Sequence, residues 1–271
     1  MHKKYFFFDI DGTLTDERTH RLVPSARYAL RKLEESGHFV SIATGRAHYK
    51  AISFTEQIGI QNIVCAGGAC LVLHGIVIEN IPLPRAKAIS LLERADQENC
   101  GWLLSLNDSD AAYMRDYRFL LQAGRRMELT TYCYEPGLDY HALSAIFKIY
   151  LAMDQKQEET ERWRHALSFL RLTPSYCVYQ YDAKKTGIIR MMEKVHGNLA
   201  DVVVFGDGKN DQIMFDPLWT SIAMGNGMAA LKKQADFVTA ANTEDGILRA
   251  CRHFGWIASQ YDDQFQNVLP L

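Results

Sequence analysis

The run Tyr5-Phe6-Phe7-Phe8-Asp9-Ile10-Asp11-Gly12-Thr13-Leu14 constrains this chain more than any other stretch. Its opening apolar residues are strong β formers and read as a short, fully buried strand. The run then breaks into two carboxylates one residue apart, followed by glycine. Carboxylates at the carboxyl end of a buried strand lie where open α/β sheets keep their ligands. Strand alternation is expected to send the Asp9 and Asp11 side chains the same way. Two like charges so close are costly without a cation. Mg²⁺ suits such a pair, because it takes hard oxygen ligands and keeps several waters. By itself the pattern also fits a plain Asp-Gly turn with both acids solvated, so the later segments decide.

The chain has 271 residues, comfortable for two domains, with a net charge of −2. That balance gives no basic footprint for nucleic acid or for an anionic membrane surface. Six cysteines are scattered at Cys65, Cys70, Cys100, Cys133, Cys177 and Cys251, with no Cys-x-x-Cys pair. Asp9 cuts the first apolar run far short of a signal core, and no window approaches a membrane span. The expectation is a cytoplasmic protein with reduced thiols.

Downstream, Ala26, Ala29, Leu30 and Leu33 recur at helical spacing after Pro24, and Gly37 supplies the stop. Phe39–Ala43 is a second short strand, ending in Thr44-Gly45-Arg46. Strand, helix and strand in that order make a βαβ unit, hence a parallel sheet with a right-handed crossover. Both polar turns therefore fall on one sheet edge. There Thr44 could offer a hydroxyl, and Gly45 a close backbone approach, to an anion held by the first turn. A helix over Ala47–Ile58 with Gly59 as its cap precedes a third strand, Asn62–Ala66. A hairpin is expected about His74-Gly75. Pro82 and Pro84 mark a boundary.

From Arg85 to about Tyr181 the pattern changes. A helix over Arg85–Asn99, a strand over Trp102–Leu106, a strand within Ala145–Met153, a charged helix over Gln155–Leu170 and a strand over Tyr176–Tyr181 suggest an α+β layer covered on one face. The first architecture resumes near Asp182. Lys184-Lys185-Thr186-Gly187 opens a helix running to Val195, and Asp201–Phe205 is a strand flowing into Gly206-Asp207-Gly208-Lys209-Asn210-Asp211. Strands at Ser221–Met224 and Phe237–Thr239 and helices about Met228–Gln234 and Glu244–Phe254 complete the chain. The fold class expected is α/β, a doubly wound parallel sheet with an inserted α+β cap. Residues 1–84 and 182–271 form the core domain in this reading, and residues 85–181 the cap domain.

Three acidic or hydroxylic turns, each directly after a buried strand, converge on one edge. In order and content they resemble the haloacid dehalogenase superfamily of phosphohydrolases. Asp9-Ile10-Asp11-Gly12-Thr13-Leu14 matches its first motif, Thr44-Gly45-Arg46 its second, Lys184 its third, and Gly206–Asp211 its fourth. The insert, with the run Ala223-Met224-Gly225-Asn226-Gly227, is similar to the Cof-type branch, which carries a large α+β cap. Lys184 rather than Lys185 has the family's spacing to Gly187-Ile188. Gly67-Gly68-Ala69 stands where that branch commonly has Asn-Gly-Ala.

The resemblance implies an Mg²⁺-dependent phosphatase of small phosphomonoesters, a sugar phosphate or a phosphorylated cofactor. It implies Asp9 as nucleophile, forming an aspartyl phosphate, and Asp11 as the acid and then the base. It places Mg²⁺ on the Asp9 carboxylate, the Asp11 main-chain carbonyl and Asp207, with Asp211 in support. Thr44, the Gly45 amide, Lys184 and Asn210 would bind the transferring phosphoryl group. A phosphomutase of the same fold and a non-catalytic phosphate-binding regulator are the alternatives. The partner is a small phosphorylated metabolite, and the residues leave the oligomeric state open. No Gly-x-Ser-x-Gly elbow and no Gly-x-Gly-x-x-Gly after the first strand support other enzyme classes.

Overall fold

Strand β1 (Tyr5–Phe8) lies near the middle of an eight-stranded sheet in the computed structural model, which describes residues 2–158 and 167–258. On one side it pairs in parallel with β2 (Phe39–Ala43), which pairs in turn with β3 (Ile63–Cys65). Helices α1 (Pro24–Glu35) and α2 (His48–Ile58) make the crossovers. Two antiparallel strands, β4 (Cys70–Leu73) and β5 (Ile76–Asn80), finish that edge. The hairpin between them turns at His74 and Gly75, both left-handed with φ of 51° and 77°. That is the primed turn whose twist matches flanking strands.

The chain then builds a second sheet. Helix α3 (Arg85–Gln97) leads to β6 (Trp102–Ser105), β7 (Ala111–Met114), helix α4 (Arg118–Ala123), β8 (Thr131–Tyr134), β9 (Lys148–Ala152) and the short helix α5 (Gln155–Glu158). Strands β10 (Phe169–Thr173) and β11 (Tyr176–Tyr179) follow, and the order is β10-β11-β9-β6-β7-β8. Phe169 and Leu170, expected to end a helix, stand in β10 instead, in register with Tyr179 and Val178. Alternating Phe-Leu-Arg-Leu-Thr suits a strand, and the Phe169 and Tyr179 rings lie 5.4 Å apart across the ladder. The middle of the expected helix, residues 159–166, lies outside the described residues.

Returning to the first sheet, α6 (Lys184–Lys194) precedes β12 (Val202–Gly206), β13 (Thr220–Ala223), α7 (Ala229–Gln234), β14 (Phe237–Val238) and α8 (Gly246–His253). Strand β12 pairs in parallel with β1 on the side opposite β2, giving the order β14-β13-β12-β1-β2-β3-β4-β5. Helix α8 starts at Gly246 rather than Glu244, because Asp245 is left-handed at φ 61° and cannot continue a right-handed helix. The fold is therefore α/β, a doubly wound sheet interrupted by an α+β insertion.

Packing explains why β1 is aromatic throughout. Phe6 and Phe8 belong to the apolar layer with Leu30 and Leu33 of α1 and Ile247 and Cys251 of α8. Tyr5 and Phe7 belong to the opposite layer, with Ile188, Met191 and Met192 of α6. A strand covered on both faces has no polar side to show. In the second sheet, Trp102, Leu104, Ile149 and Leu151 pack with α3, while Leu103, Tyr150, Tyr176 and Val178 pack around Phe119 of α4. Both faces therefore carry apolar cover, where the sequence suggested one. Among the described residues, no helix is long and apolar enough to cross a membrane.

Candidate active site

The strand ends at Phe8, so its alternation does not carry through to Asp11. Asp9 stays beside β12, its N–H donating to the Phe205 carbonyl at 3.1 Å, and the chain then folds into a tight loop. The Leu14 N–H donates to the Ile10 carbonyl at 2.9 Å, closing that loop. Asp9 is buried, whereas Asp11 is exposed and pairs with the guanidinium of Arg46, whose Nε donates to Oδ2 at 3.2 Å. The expected common direction of the two side chains is thus replaced by two separate environments.

Asp9, Asp207 and Asp211 converge, with one carboxylate oxygen of each inside a 4.8 Å group, and all three are buried. The Lys184 Nζ donates to Asp9 Oδ1 at 2.6 Å and to Asp211 Oδ1 at 2.7 Å. It lies in the first turn of α6 and is 1% exposed, a position that only paired charge sustains. Lys185 instead reaches Asp216. Asp211 also accepts the Asp207 and Gly208 N–H groups at 3.0 Å each, which folds the fourth motif onto itself. Thr13 donates its hydroxyl to Asp207 Oδ1 at 2.8 Å and so aims that carboxylate.

Close backbone approach makes this convergence possible. Gly12 is left-handed at φ 81°, and a Cβ there would collide with the Asp207 carboxylate. Gly68 is left-handed at φ 96°, and a Cβ there would strike the Ala183 carbonyl. Ala183 donates its N–H to the Gly67 carbonyl at 2.7 Å. The Gly67-Gly68 pair therefore seats the start of α6, and with it Lys184, on the loop after β3.

Electrostatics follow from three carboxylates sharing one ammonium. Burial raises the Asp9 carboxyl to about 8, with Lys184 opposing and Asp211 and Asp207 adding to the rise. Burial likewise lifts Asp207 to about 6, against the Thr13 hydrogen bond and helped by Asp211. Burial alone would lower the Lys184 ammonium, but Asp9 and Asp211 beside it outweigh that and hold it above the ordinary lysine range. The excess of negative charge is what a divalent cation relieves, and the donors are hard oxygens. The residues fit Mg²⁺.

The anion-binding candidates are less tightly gathered. Thr44 is buried at the end of β2; its N–H donates to the Val64 carbonyl at 2.8 Å, and its Oγ1 accepts the Arg46 N–H at 3.2 Å. Gly45 has open space where a Cβ would stand. Asn210 is exposed and makes no described side-chain hydrogen bond. Two asparagines with no role in the sequence reading complete the scaffold. Asn226 donates to the Gly12 carbonyl at 2.8 Å and accepts the Asn242 N–H at 3.0 Å; Asn242 donates to the Thr15 carbonyl at 2.7 Å. The signal for Asn226 is its place in Gly225-Asn226-Gly227 directly after a strand of the same sheet. Asn242 carries no such local signal.

The sequence model of the haloacid dehalogenase-like hydrolases matches residues 6–251. The protein named "Putative phosphatase YkrA" of Bacillus subtilis (strain 168) is 31% identical, over 94% of this chain and 99% of that one. The pyridoxal phosphate phosphatase YbhA of Escherichia coli (strain K12) is 26% identical, over 91% and 97%. Among solved structures, a hypothetical protein from Geobacillus kaustophilus HTA426 superposes with a TM-score of 0.80 at 30% identity, covering 94% of this chain and all (100%) of the other.

Proposed function

Because the chain belongs to the haloacid dehalogenase-like hydrolases and is a phosphatase of that family, we propose that it hydrolyses small phosphomonoesters through an aspartyl phosphate on Asp9. The observation that carries this reading is the buried constellation of Asp9, Lys184, Asp211 and Asp207 at the carboxyl edge of the sheet. Mg²⁺ would be held by the Asp9 and Asp207 carboxylates and the Asp11 main-chain carbonyl, supported by Asp211. When bound, it neutralises charge between an anionic nucleophile and an anionic phosphate.

The chain's own groups do the rest. An Asp9 carboxylate oxygen attacks phosphorus, and the ester oxygen departs with a proton from Asp11. Asp11 then takes a proton from water, whose oxygen attacks the same phosphorus, releasing phosphate and restoring the Asp9 carboxylate. In this structure Arg46 holds Asp11, so its role requires that pair to open toward the leaving oxygen. Lys184, the Thr44 hydroxyl, the Gly45 amide and Asn210 bind the phosphoryl oxygens, placed to stabilise charge as it develops. The organic part of the substrate is a sugar or a cofactor of the size that YbhA's name implies for its own substrate.

The test is a screen of phosphorylated metabolites for released phosphate, with Mg²⁺, after chelation, and with the variant Asp9→Asn. The expected outcome is stoichiometric phosphate, lost on chelation and lost in the variant while its melting temperature is kept. Full activity after exhaustive chelation, or in Asp9→Asn, overturns the reading.

A further inference from the structure

A cleft separates the loop after β2 and the start of α2 from one end of the second sheet. Ala47 and Ala66 form its floor on the first side, and Ala66 is tied to Arg46 by a 2.7 Å backbone hydrogen bond. The floor is therefore continuous with the Thr44-Gly45-Arg46 turn. Tyr181, three residues before Lys184, borders the other side. Across from the floor stand Ser105 of β6 and Lys148 of β9, which are partners in register and hence on one face of the sheet.

The charges around this cleft do not cancel. Glu128 is taken by Lys50 and by Arg126, whose Nη2 lies 2.6 Å away. Asp108 is taken by the His48 ring at 2.6 Å and by the Tyr49 N–H at 3.0 Å. Each carboxylate near the cleft is thus already spoken for. The Lys148 ammonium has no hydrogen bond or ion pair among the described residues. Burial and the neighbouring Lys50 push it down to about 8, and Glu128, already shared by Lys50 and Arg126, offsets this only in part. The Nε2 of His48, also lining the cleft, is buried without a partner among the described residues.

We propose that Lys148 determines specificity by binding a second anionic group, a carboxylate or another phosphate, on the organic part of the phosphomonoester. The inference rests on the phosphatase reading and deepens it. A cation compensated only in part in a partly dry cleft rewards an anion more than a hydroxyl, because the charge-assisted bond also removes the burial penalty. A neutral substrate leaves the penalty in place, so the preference arises on both sides of the comparison.

The test uses matched compounds on the wild type and on Lys148→Met. The carboxylate pair is 3-phosphoglycerate against glycerol 3-phosphate, and the phosphate pair is fructose 1,6-bisphosphate against fructose 6-phosphate. p-Nitrophenyl phosphate is the generic control. In the wild type, kcat/KM for the anionic member of at least one pair is expected to exceed its partner by about tenfold or more. Lys148→Met is expected to erase that ratio, chiefly through KM, while changing p-nitrophenyl phosphate hydrolysis by less than about threefold. The pair that shows the ratio identifies the anion. No preference in either wild-type pair, or an equal loss on all five compounds, overturns the proposal. If no compound releases phosphate at all, the phosphatase reading falls separately. Calorimetric binding of the same pairs then decides for Lys148: a preference lost in Lys148→Met and in Lys148→Gln supports it, and one unchanged overturns it.

Discussion

Lys184 is the residue on which the arrangement balances. Its ammonium bridges Asp9 and Asp211 inside a buried layer, and its helix start is docked on Gly67-Gly68. Replacing it with methionine removes the cation that bonds both buried carboxyl groups, a loss of about 3–5 kcal/mol for breaking a buried ion pair by deleting one partner. The melting temperature of Lys184→Met in chelator should fall by about 10 °C. Mg²⁺ should restore part of that fall by supplying the missing cation, and an identical fall with and without Mg²⁺ contradicts the shared-charge account. At this scale the sequence marked Asp9, Asp207 and Asp211 in turns that follow buried strands, and the structure gathers them around Lys184; Thr44 and Lys184 are weak signals alone and were singled out only by the order of the motifs. The sequence spoke less clearly for Asp11. Its position one residue beyond Ile10 suggested alternation, but alternation needs an extended backbone, and the strand had already ended at Phe8. Asn242 was silent in the sequence, since it works through contacts to residues 15 and 226 that no local pattern foretells.

Elements are held in place by a few such crossings, and two can be tested. The loop after β1 meets the loop after β12 at Gly12, whose left-handed φ and contact with Asp207 leave no room for a methyl group. Gly12→Ala should fold, yet lose about a hundredfold in kcat through misplacement of Asp207; an unchanged kcat would show that the contact does not position the carboxylate. In the second sheet, Asp96 of α3 accepts from Arg115 at 2.8 Å, Arg118 at 2.8 Å, Trp102 at 3.1 Å and Tyr140 at 3.0 Å. Burial would raise this carboxyl, but the bonds from Arg118, Trp102, Arg115 and Tyr140 outweigh it and hold it below the usual range. A depressed folded value means stability that is present above the unfolded value near ~4 and lost as pH falls through the folded one. The wild type should therefore exceed Asp96→Asn by about 1–2 kcal/mol in urea unfolding at pH 7. The gap should narrow on acidification below about pH 4; a gap that widens there reverses the sign and refutes the assignment. None of this network was visible in sequence, because Asp96, Arg115, Arg118 and Tyr140 belong to separate segments. The strands of the first sheet were legible because each is a short apolar run ending in a polar turn. Strands β7 and β8 were not, since their mixed aromatic and polar residues show no clean period.

For the whole molecule, order along the chain settled the architecture. A βαβ start, a change of pattern near Pro82–Pro84 and a return to strand-and-acid turns near Asp182 leave little choice but one sheet interrupted by another. Where the second sheet faces the first was beyond reach, because that depends on tertiary closure such as the His48–Asp108 and Lys50–Glu128 pairs. The chemistry proposed for the assembled cleft stands or falls on a covalent bond to one carboxylate. The direct measurement is rapid quenching of turning-over enzyme into borohydride, which reduces an acyl phosphate to an alcohol, followed by peptide mass spectrometry. The account predicts homoserine in place of aspartate at position 9, dependent on substrate and absent without Mg²⁺. Reduction at a different aspartate, or an unmodified Asp9 in enzyme that is releasing phosphate, contradicts it.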